Sequence, residues 1–410
     1  MRPEPEHRQL QQGAPPLAPL APVDEAEAAR LRAEMVERLR AAGAVHDPAV
    51  EQALLSVPRH LFLPRKPLAG AYENVAVATR WEQGATVSSV SQPEIVAMML
   101  EQLHVTPGMR VLEIGAGAGY NAALLAELVG PAGSVTTIEL DPELAGEAAA
   151  HLAAAGYSPA RARVIAGDGW MGWAEGAPWD RIEVTAGVWD ISPAWVEQLA
   201  DGGMLLAPLW LGVSDVSVAL RKRAGRLVSE SWTLCGFVRL RGEGAGQPPV
   251  ARLSGRRSLS GPGAEALAPR VAQALALPSR RLRLDNPGPG FISTLALLAG
   301  GMLTLWQGGP GGLGRPRGRY ALYCEGPDGP SLVLFPQQSS SLLAFGGTAA
   351  ERFVREQAAA HRARGTLPPG AWRLTVWPAP DAPPEREGVI RQRTPHWVYD
   401  ISVAEWTRTG

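Results

Sequence analysis

The chain is poor in the residue types on which several chemistries depend. Its two cysteines, Cys235 and Cys324, stand far apart and in no C-x-x-C pattern. That argues against a disulfide framework or a cysteine-built zinc site and fits a reducing, cytoplasmic compartment. The 7 histidines form no H-x-x-x-H pair, so no metal site is expected. No serine lies in G-x-S-x-G, and His60, His104 and His151 follow no triad order, which argues against a serine hydrolase. Lys66 and Lys222 are the only lysines. The one long apolar run, GFISTLALLAGGMLTLWQGG, is broken by Gly300 and Gly301 and reads as a buried helix, a glycine turn and a strand rather than a membrane span. The start, MRPEPEHRQLQQGAPPLAPLAPVDE, has no apolar signal core. Its Pro, Gln and Ala content predicts a disordered tail over residues 1–24.

What is present is unevenly distributed. The chain has 410 residues and a net charge of −1, enough for two or more domains and no whole-protein case for nucleic acid or membrane. Residues 1–240 carry 19 basic and 28 acidic residues, and residues 241–410 carry 20 and 12. An acidic front joined to a basic back implies two modules with different partners. The basic segment GLGRPRGR lacks interleaved aromatics and reads as a solvated loop rather than an RNA contact.

From Glu25 onward, helical spacing marks two helices, the second in VEQALLSVPRHLFLP, and then a third opening at Pro93, which suits a first turn. Strands and helices alternate from MRVLEIGAG to MLLAPLWL, and SVALRKRAGRLVSESWTLC reads as a hairpin turning at Ala224-Gly225. This pattern predicts an α/β fold with a parallel sheet. Composition changes near Gly242. The expected organisation is a catalytic domain over 25–241, a linker over 242–262 and a C-terminal α+β domain over 263–410. That last region holds Trp306, Trp372, Trp377, Trp397 and Trp406, most of them expected in the core.

Gly115, Gly117 and Gly119 lie between a strand and a helix, in G-x-G-x-G rather than the G-x-G-x-x-G of dinucleotide binders. Glycine lets a ligand approach main-chain N–H groups there. Glu139 ends the next strand about 20 residues on, where a carboxylate can accept ribose hydroxyls. Asp168 ends the third strand, where it can meet an adenine amino group. Together these predict a nucleoside site at the carboxyl edge of one sheet.

These residues resemble the Rossmann-like S-adenosylmethionine-dependent methyltransferases. The segments VPRHLFLP, AYENV, SQPEIVAMMLE, PGMRVLEIGAGAGYNAALLAELVG, VIAGDGW and DRIEVTAG resemble, in order, the motifs of the protein-L-isoaspartate O-methyltransferases, over roughly Glu25 to Leu240. The resemblance implies S-adenosyl-L-methionine as cofactor, held by Glu113, Gly115, Gly117, Gly119, Glu139, Asp168 and Gly169. It aligns Ser91 with the family's active-site serine. Ser88 and Ser89 stand where repair enzymes carry Gln and Thr. VSSVSQP, AGVWDISPAWVEQLADGG and LCGFVRLRG resemble a sub-branch found beside ribosomally made peptides, including lanthipeptide, graspetide and lasso peptide systems. This implies methylation of an aspartate side chain in a macrocyclised peptide, leading to an aspartimide that persists or hydrolyses to isoaspartate. The alternative is an isoaspartate repair enzyme with an extra domain. Either way the expected partner is a peptide, with no nucleic acid and no membrane, for a monomeric enzyme. Expected catalytic residues are Ser91, Ser89 and Ser88. A carboxylate is ionised at neutral pH and is itself the nucleophile, so the loop has only to position it. Ser91 can also cap the helix opening at Pro93. The C-terminal region, with its basic excess, is expected to help recognise the peptide.

Overall fold

In the computed structural model the described residues are 23–82, 84–210, 215–246, 250–253, 255, 257–261, 263–287, 291–299, 302–307, 317–335, 341–364, 372–386 and 389–403. The expected tail up to residue 22, the turn at Gly300-Gly301, most of GLGRPRGR and Trp406 lie outside them. No helix among the described residues is long and apolar enough to cross a membrane.

The N-terminal helices α1 (Glu25–Ala41) and α2 (Pro48–Ser56) begin at Asp24 and Asp47, whose carboxylates accept first-turn N–H groups. The four-residue α3 (Leu68–Ala71) leads to a hairpin, β1 (Val77–Glu82) and β2 (Ala85–Val90). Next, α4 (Pro93–Leu103) buries Val96, Met99, Leu100 and Leu103 along one stripe. The alternating part follows as β3 (Arg110–Ile114), α5 (Tyr120–Val129), β4 (Ser134–Glu139), α6 (Pro142–Ala154), β5 (Ala162–Ala166), β6 (Trp179–Val184), α7 (Pro193–Gln198) and β7 (Leu199–Trp210). Strands β8 (Asp215–Arg223) and β9 (Arg226–Cys235) form the expected hairpin. Its two-residue turn has positive φ at Ala224 and Gly225, matching the twist of the flanking strands.

In the first sheet β5, β4, β3, β6 and β7 are parallel neighbours in that order. Chain progression therefore reverses between β3 and β6, opening the crevice in which such sheets hold ligands. The fold is a Rossmann-like α/β fold with a sheet-rich C-terminal region.

The C-terminal region departs from the expected boundaries. Strands β10 (Val250–Arg252) and β11 (Arg257–Ser260) fall in the expected linker and pair with each other. They join β12 (Ser279–Arg283), β13 (Leu303–Gln307), β14 (Arg317–Gly326), β15 (Gly329–Phe335) and β16 (Ser341–Gly346) in a seven-stranded sheet. Helix α8 (Ala264–Ala276) packs into one core with Leu259, Leu332 and Leu334. Helices α9 (Phe291–Leu298) and α10 (Ala349–Arg364) pack into another with Val333 and Phe335.

The last strands, β17 (Trp372–Pro378), β18 (Val389–Arg393) and β19 (Trp397–Val403), return to the first sheet. There β17 pairs antiparallel with β9, making a ten-stranded sheet. Residues 372–403 therefore belong to the catalytic sheet, and one C-terminal domain over 263–410 does not describe the topology. The physical reason is the open edge of β9, whose main-chain groups β17 satisfies. Trp372 also stacks on Trp232 at 4.9 Å. Trp372, Val376, Trp397 and Tyr399 are buried in one core with Leu112, Ile114 and Trp195.

Candidate active site

The loop from β3 to α5 forms the floor of a cavity at the carboxyl ends of β3, β4 and β6. Gly115 has φ +104, and a Cβ there would lie 2.7 Å from Thr185 Oγ1. Only glycine fits this backbone. Thr185 in turn donates to the carbonyls of Ile114 (3.0 Å) and Gly115 (2.7 Å), pinning the loop to the end of β6. Gly117 N–H donates to Glu139 Oε2 at 2.9 Å, and Gly119, in the left-handed conformation, starts α5.

Glu113 and Glu183 face each other in register on β3 and β6, both essentially inaccessible to solvent. Asn121 Nδ2, from the first turn of α5, donates to Glu113 Oε1 at 2.8 Å and to Glu183 Oε2 at 2.9 Å. Burial pushes Glu113 up to about 8, with the nearby Glu183 adding to the rise. Burial likewise pushes Glu183 up to about 7. Glu113 Oε2 is buried without a partner.

The opposite wall is the serine-rich segment. Ser88 is buried and its Oγ accepts from Thr79 Oγ1 at 3.1 Å. The Ser89 carbonyl lies 3.5 Å from where a Gly117 Cβ would be, so the segment abuts the glycine loop. Ser91 is held from below: Arg59, fully buried, donates from Nη2 to the Ser91 carbonyl and from Nε to that of Ala71, both at 2.9 Å. Arg59 lies over the Tyr120 ring at 4.8 Å, and burial lowers its pKa.

The cavity is about 100 Å³ and is lined by Ser88, Ser89, Ser91, Glu113, Gly115, Gly117, Glu139 and Gly169, with Phe237 to Arg241 as a further wall. An outer groove of about 370 Å³ shares Ser89, Ser91 and Phe237 with it and continues past Ile95 and Leu234. Two arginines stand in the 237–241 wall. Arg239 pairs with buried Asp215 at 2.7 Å and lies over the edge-to-face Trp189–Trp210 pair, at 4.5 and 4.7 Å from the two rings. Arg241 bonds Glu82 at 2.8 Å.

The structure thus gathers all the sequence-predicted site residues around one cavity except Gly119 and Asp168. Gly119 sits behind the loop against α6, with Ala148 O 3.2 Å from its hypothetical Cβ. Asp168 is turned to the main chain. Its Oδ1 accepts from Trp170 N–H at 2.9 Å and its Oδ2 from Glu243 N–H at 2.7 Å, so it caps a short 3₁₀ turn and anchors the 241–244 strap. Each Asp168 oxygen accepts one main-chain N–H and keeps a second lone pair for a ligand donor. Sequence reasoning assigned no role to Glu183, Asn121, Thr185, Arg59 or Arg239. Asn121 carried one usable signal: a polar residue opening an otherwise apolar helix directly after the glycine loop.

The remaining features fit an adenosyl cofactor: glycine backbone that a Cβ would obstruct, Glu139 at the next strand end, and the orphaned Glu113 Oε2 in the cavity. The profile of the family described as Protein-L-isoaspartate(D-aspartate) O-methyltransferase (PCMT) matches residues 30–245. The chain is 41% identical over 220 residues to the protein-L-isoaspartate O-methyltransferase of Hyperthermus butylicus, covering 52% of this chain and 89% of that protein. It is 40% identical over 230 residues to that of Methanopyrus kandleri, covering 54% and 95%. A solved structure of a protein-L-isoaspartate O-methyltransferase aligns over 84% of this chain and 96% of that one, at 24% identity and a TM-score of 0.49. With more than half of its residues matched by the family profile, the chain belongs to the protein-L-isoaspartate O-methyltransferase family.

Proposed function

We propose that the chain is an S-adenosylmethionine-dependent carboxyl O-methyltransferase that esterifies the free α-carboxylate of an L-isoaspartyl residue in a peptide. The observation that carries this reading is the placement of Ser89 and Ser91, which line both the glycine-loop cavity and the outer groove. A peptide carboxylate entering from the groove meets hydroxyls at the boundary of the cofactor site.

When bound, S-adenosylmethionine supplies a methyl group on a sulfonium. An acceptor carboxylate is ionised at neutral pH and would be its own nucleophile, so the chain needs no general base. The chain's contribution is to hold and partly dehydrate an anion. Ser91 and Ser89 supply neutral donors, and the buried Arg59 guanidinium beneath the Ser91 carbonyl supplies a positive field without reaching the carboxylate. Glu113, Asn121 and Glu183 hold the far side of the loop. Ester formation makes methoxide the leaving group, and the following backbone nitrogen can close an imide.

A second reading has its own support. Ser88 and Ser89 depart from the repair-enzyme pattern, and residues 246–410 lie beyond the family match. Under that reading the acceptor is an aspartate side chain in a macrocyclised, ribosomally made peptide, such as a lanthipeptide, graspetide or lasso peptide, and the imide is the product. Both readings take a monomeric enzyme in the cytoplasm; the free Cys235 and Cys324 support the reducing compartment. Methylation of matched linear isoaspartyl, linear aspartyl and cyclised aspartyl peptides, followed by mass spectrometry, tests them. Turnover of the linear isoaspartyl peptide supports the first reading, turnover of only the cyclised one supports the second, and turnover of none removes both.

A further inference from the structure

We propose that Tyr399 is a positioning residue for methyl transfer: through Asp190 it fixes the 187–192 loop, and that loop fixes the 237–240 wall of the active-site cavity. The proposal rests on the methyltransferase reading above and gives a catalytic role to strands outside the family match.

The contacts form a continuous chain. Asp190 Oδ1 accepts from Tyr399 Oη at 2.6 Å, from Thr394 Oγ1 at 2.9 Å and from Ile191 N–H at 2.9 Å. Trp397 Nε1 donates to the Ile191 carbonyl at 2.7 Å. Two strand residues and the connector before them therefore grip one loop. The loop grips the cavity wall in turn. Gly187 N–H donates to the Val238 carbonyl at 2.8 Å, and Leu240 N–H donates back to the Gly187 carbonyl at 3.0 Å. Trp189, next to Asp190, is one of the two touching rings on which Arg239 rests. Val238, Arg239 and Leu240 all line the cavity. The same loop reaches the opposite end of the site, where Ser192 Oγ donates to the Trp170 carbonyl at 2.5 Å, two residues beyond Asp168.

A role in stability alone makes a different forecast. Trp397 and Tyr399 are buried in the shared core, so losing either ring would loosen the whole sheet. Losing only the Tyr399 hydroxyl keeps the ring and removes two hydrogen bonds, the one it donates to Asp190 Oδ1 at 2.6 Å and the one it accepts from Ile191 N–H at 3.2 Å, which separates the two roles.

The test is Tyr399→Phe in the full chain, read by hydrogen exchange and by peptide methylation. Ile191 N–H keeps Asp190 Oδ1 as a partner, so the net loss is the bond to the Asp190 carboxylate, which corresponds to about a tenfold change in a local opening equilibrium. The expected result is an increase of about tenfold in exchange at Gly187 and Leu240, with β3 and β4 amides unchanged. Peptide kcat/KM should fall by about the same factor while melting temperature stays near wild type. Thr394→Val, at a half-buried position, should show a smaller change of the same pattern and serves if Tyr399→Phe does not fold. Unchanged exchange at Gly187 and Leu240 in both variants overturns the proposal, as does a rise shared equally with β3 and β4. If the wild type methylates no peptide, the functional reading fails, while the exchange data still decide whether the loop is held from Tyr399.

Discussion

Glu113 and Glu183 stand opposite one another on adjacent strands and share a single side-chain donor, Asn121 Nδ2, at 2.8 and 2.9 Å. Two buried carboxyls this close hold protons at pH values where an exposed glutamate is ionised. The sign of the stability effect follows. A carboxyl whose folded pKa is raised contributes stability that is present below its unfolded value and lost as pH rises through its folded value. For Glu183 that window runs from the ordinary 4.5 to about 7, and for Glu113 from 4.5 to about 8.

Glu183→Gln keeps an acceptor for Asn121 and removes one of the two groups. Denaturant unfolding at pH 5, 6, 7 and 8 should show a shallower loss of stability with rising pH than in the wild type. Removing the Glu183 charge also lowers the cost of ionising Glu113. Superimposable slopes would show that the carboxyls are not coupled to folding as described.

Gly115→Ala should destabilise the fold by about 1–3 kcal/mol, because it combines positive φ with a steric conflict at Thr185 Oγ1. It should also abolish the thermal upshift given by S-adenosylmethionine, since the loop floor moves. Gly146→Ala in α6 is the control: nothing lies within 4 Å of its Cβ position, and the helix should gain about 0.5–1 kcal/mol.

Much of the architecture was legible in the residues themselves. Strand-helix alternation and the G-x-G-x-G loop marked the sheet and the cavity floor, and Ala224-Gly225 marked the β8–β9 turn. The return of β17 to β9 was not legible, because Leu374 N–H meets Ser229 Oγ across 145 positions and no local period encodes such a pairing. Composition signalled the change near Gly242, where the chain leaves the first sheet for the seven-stranded one, but carried no sign of the return at Trp372. The Asp168 carboxylate was read as a ligand acceptor, and its two main-chain N–H bonds to Trp170 and Glu243 were not legible because they depend on the fold. Arg59 lay inside a recognised motif, but its role depends on burial beneath Ser91, which only the fold creates.

Arg59→Lys retains the charge but loses the fork that holds two carbonyls at once. The expected cost is about 1–3 kcal/mol of stability. Below the variant's melting range, kcat should fall while S-adenosylmethionine affinity, measured by calorimetry, stays close to wild type. Parallel loss of cofactor affinity would place Arg59 in the cofactor site instead.

Ser91→Ala should bind S-adenosylmethionine normally and lose peptide methylation by roughly 10²-fold, the scale for removing one donor at a charged reacting group. Ser88→Ala should matter less for turnover, since its hydroxyl accepts from Thr79 within the hairpin.

The most direct measurement is transfer of a labelled methyl group from S-adenosylmethionine to a linear peptide carrying one L-isoaspartyl residue, beside the same peptide with aspartate. The predicted result is base-labile label in the isoaspartyl peptide alone, lost in Ser91→Ala. Absence of label from the isoaspartyl peptide, with cofactor binding intact, would contradict the proposed activity.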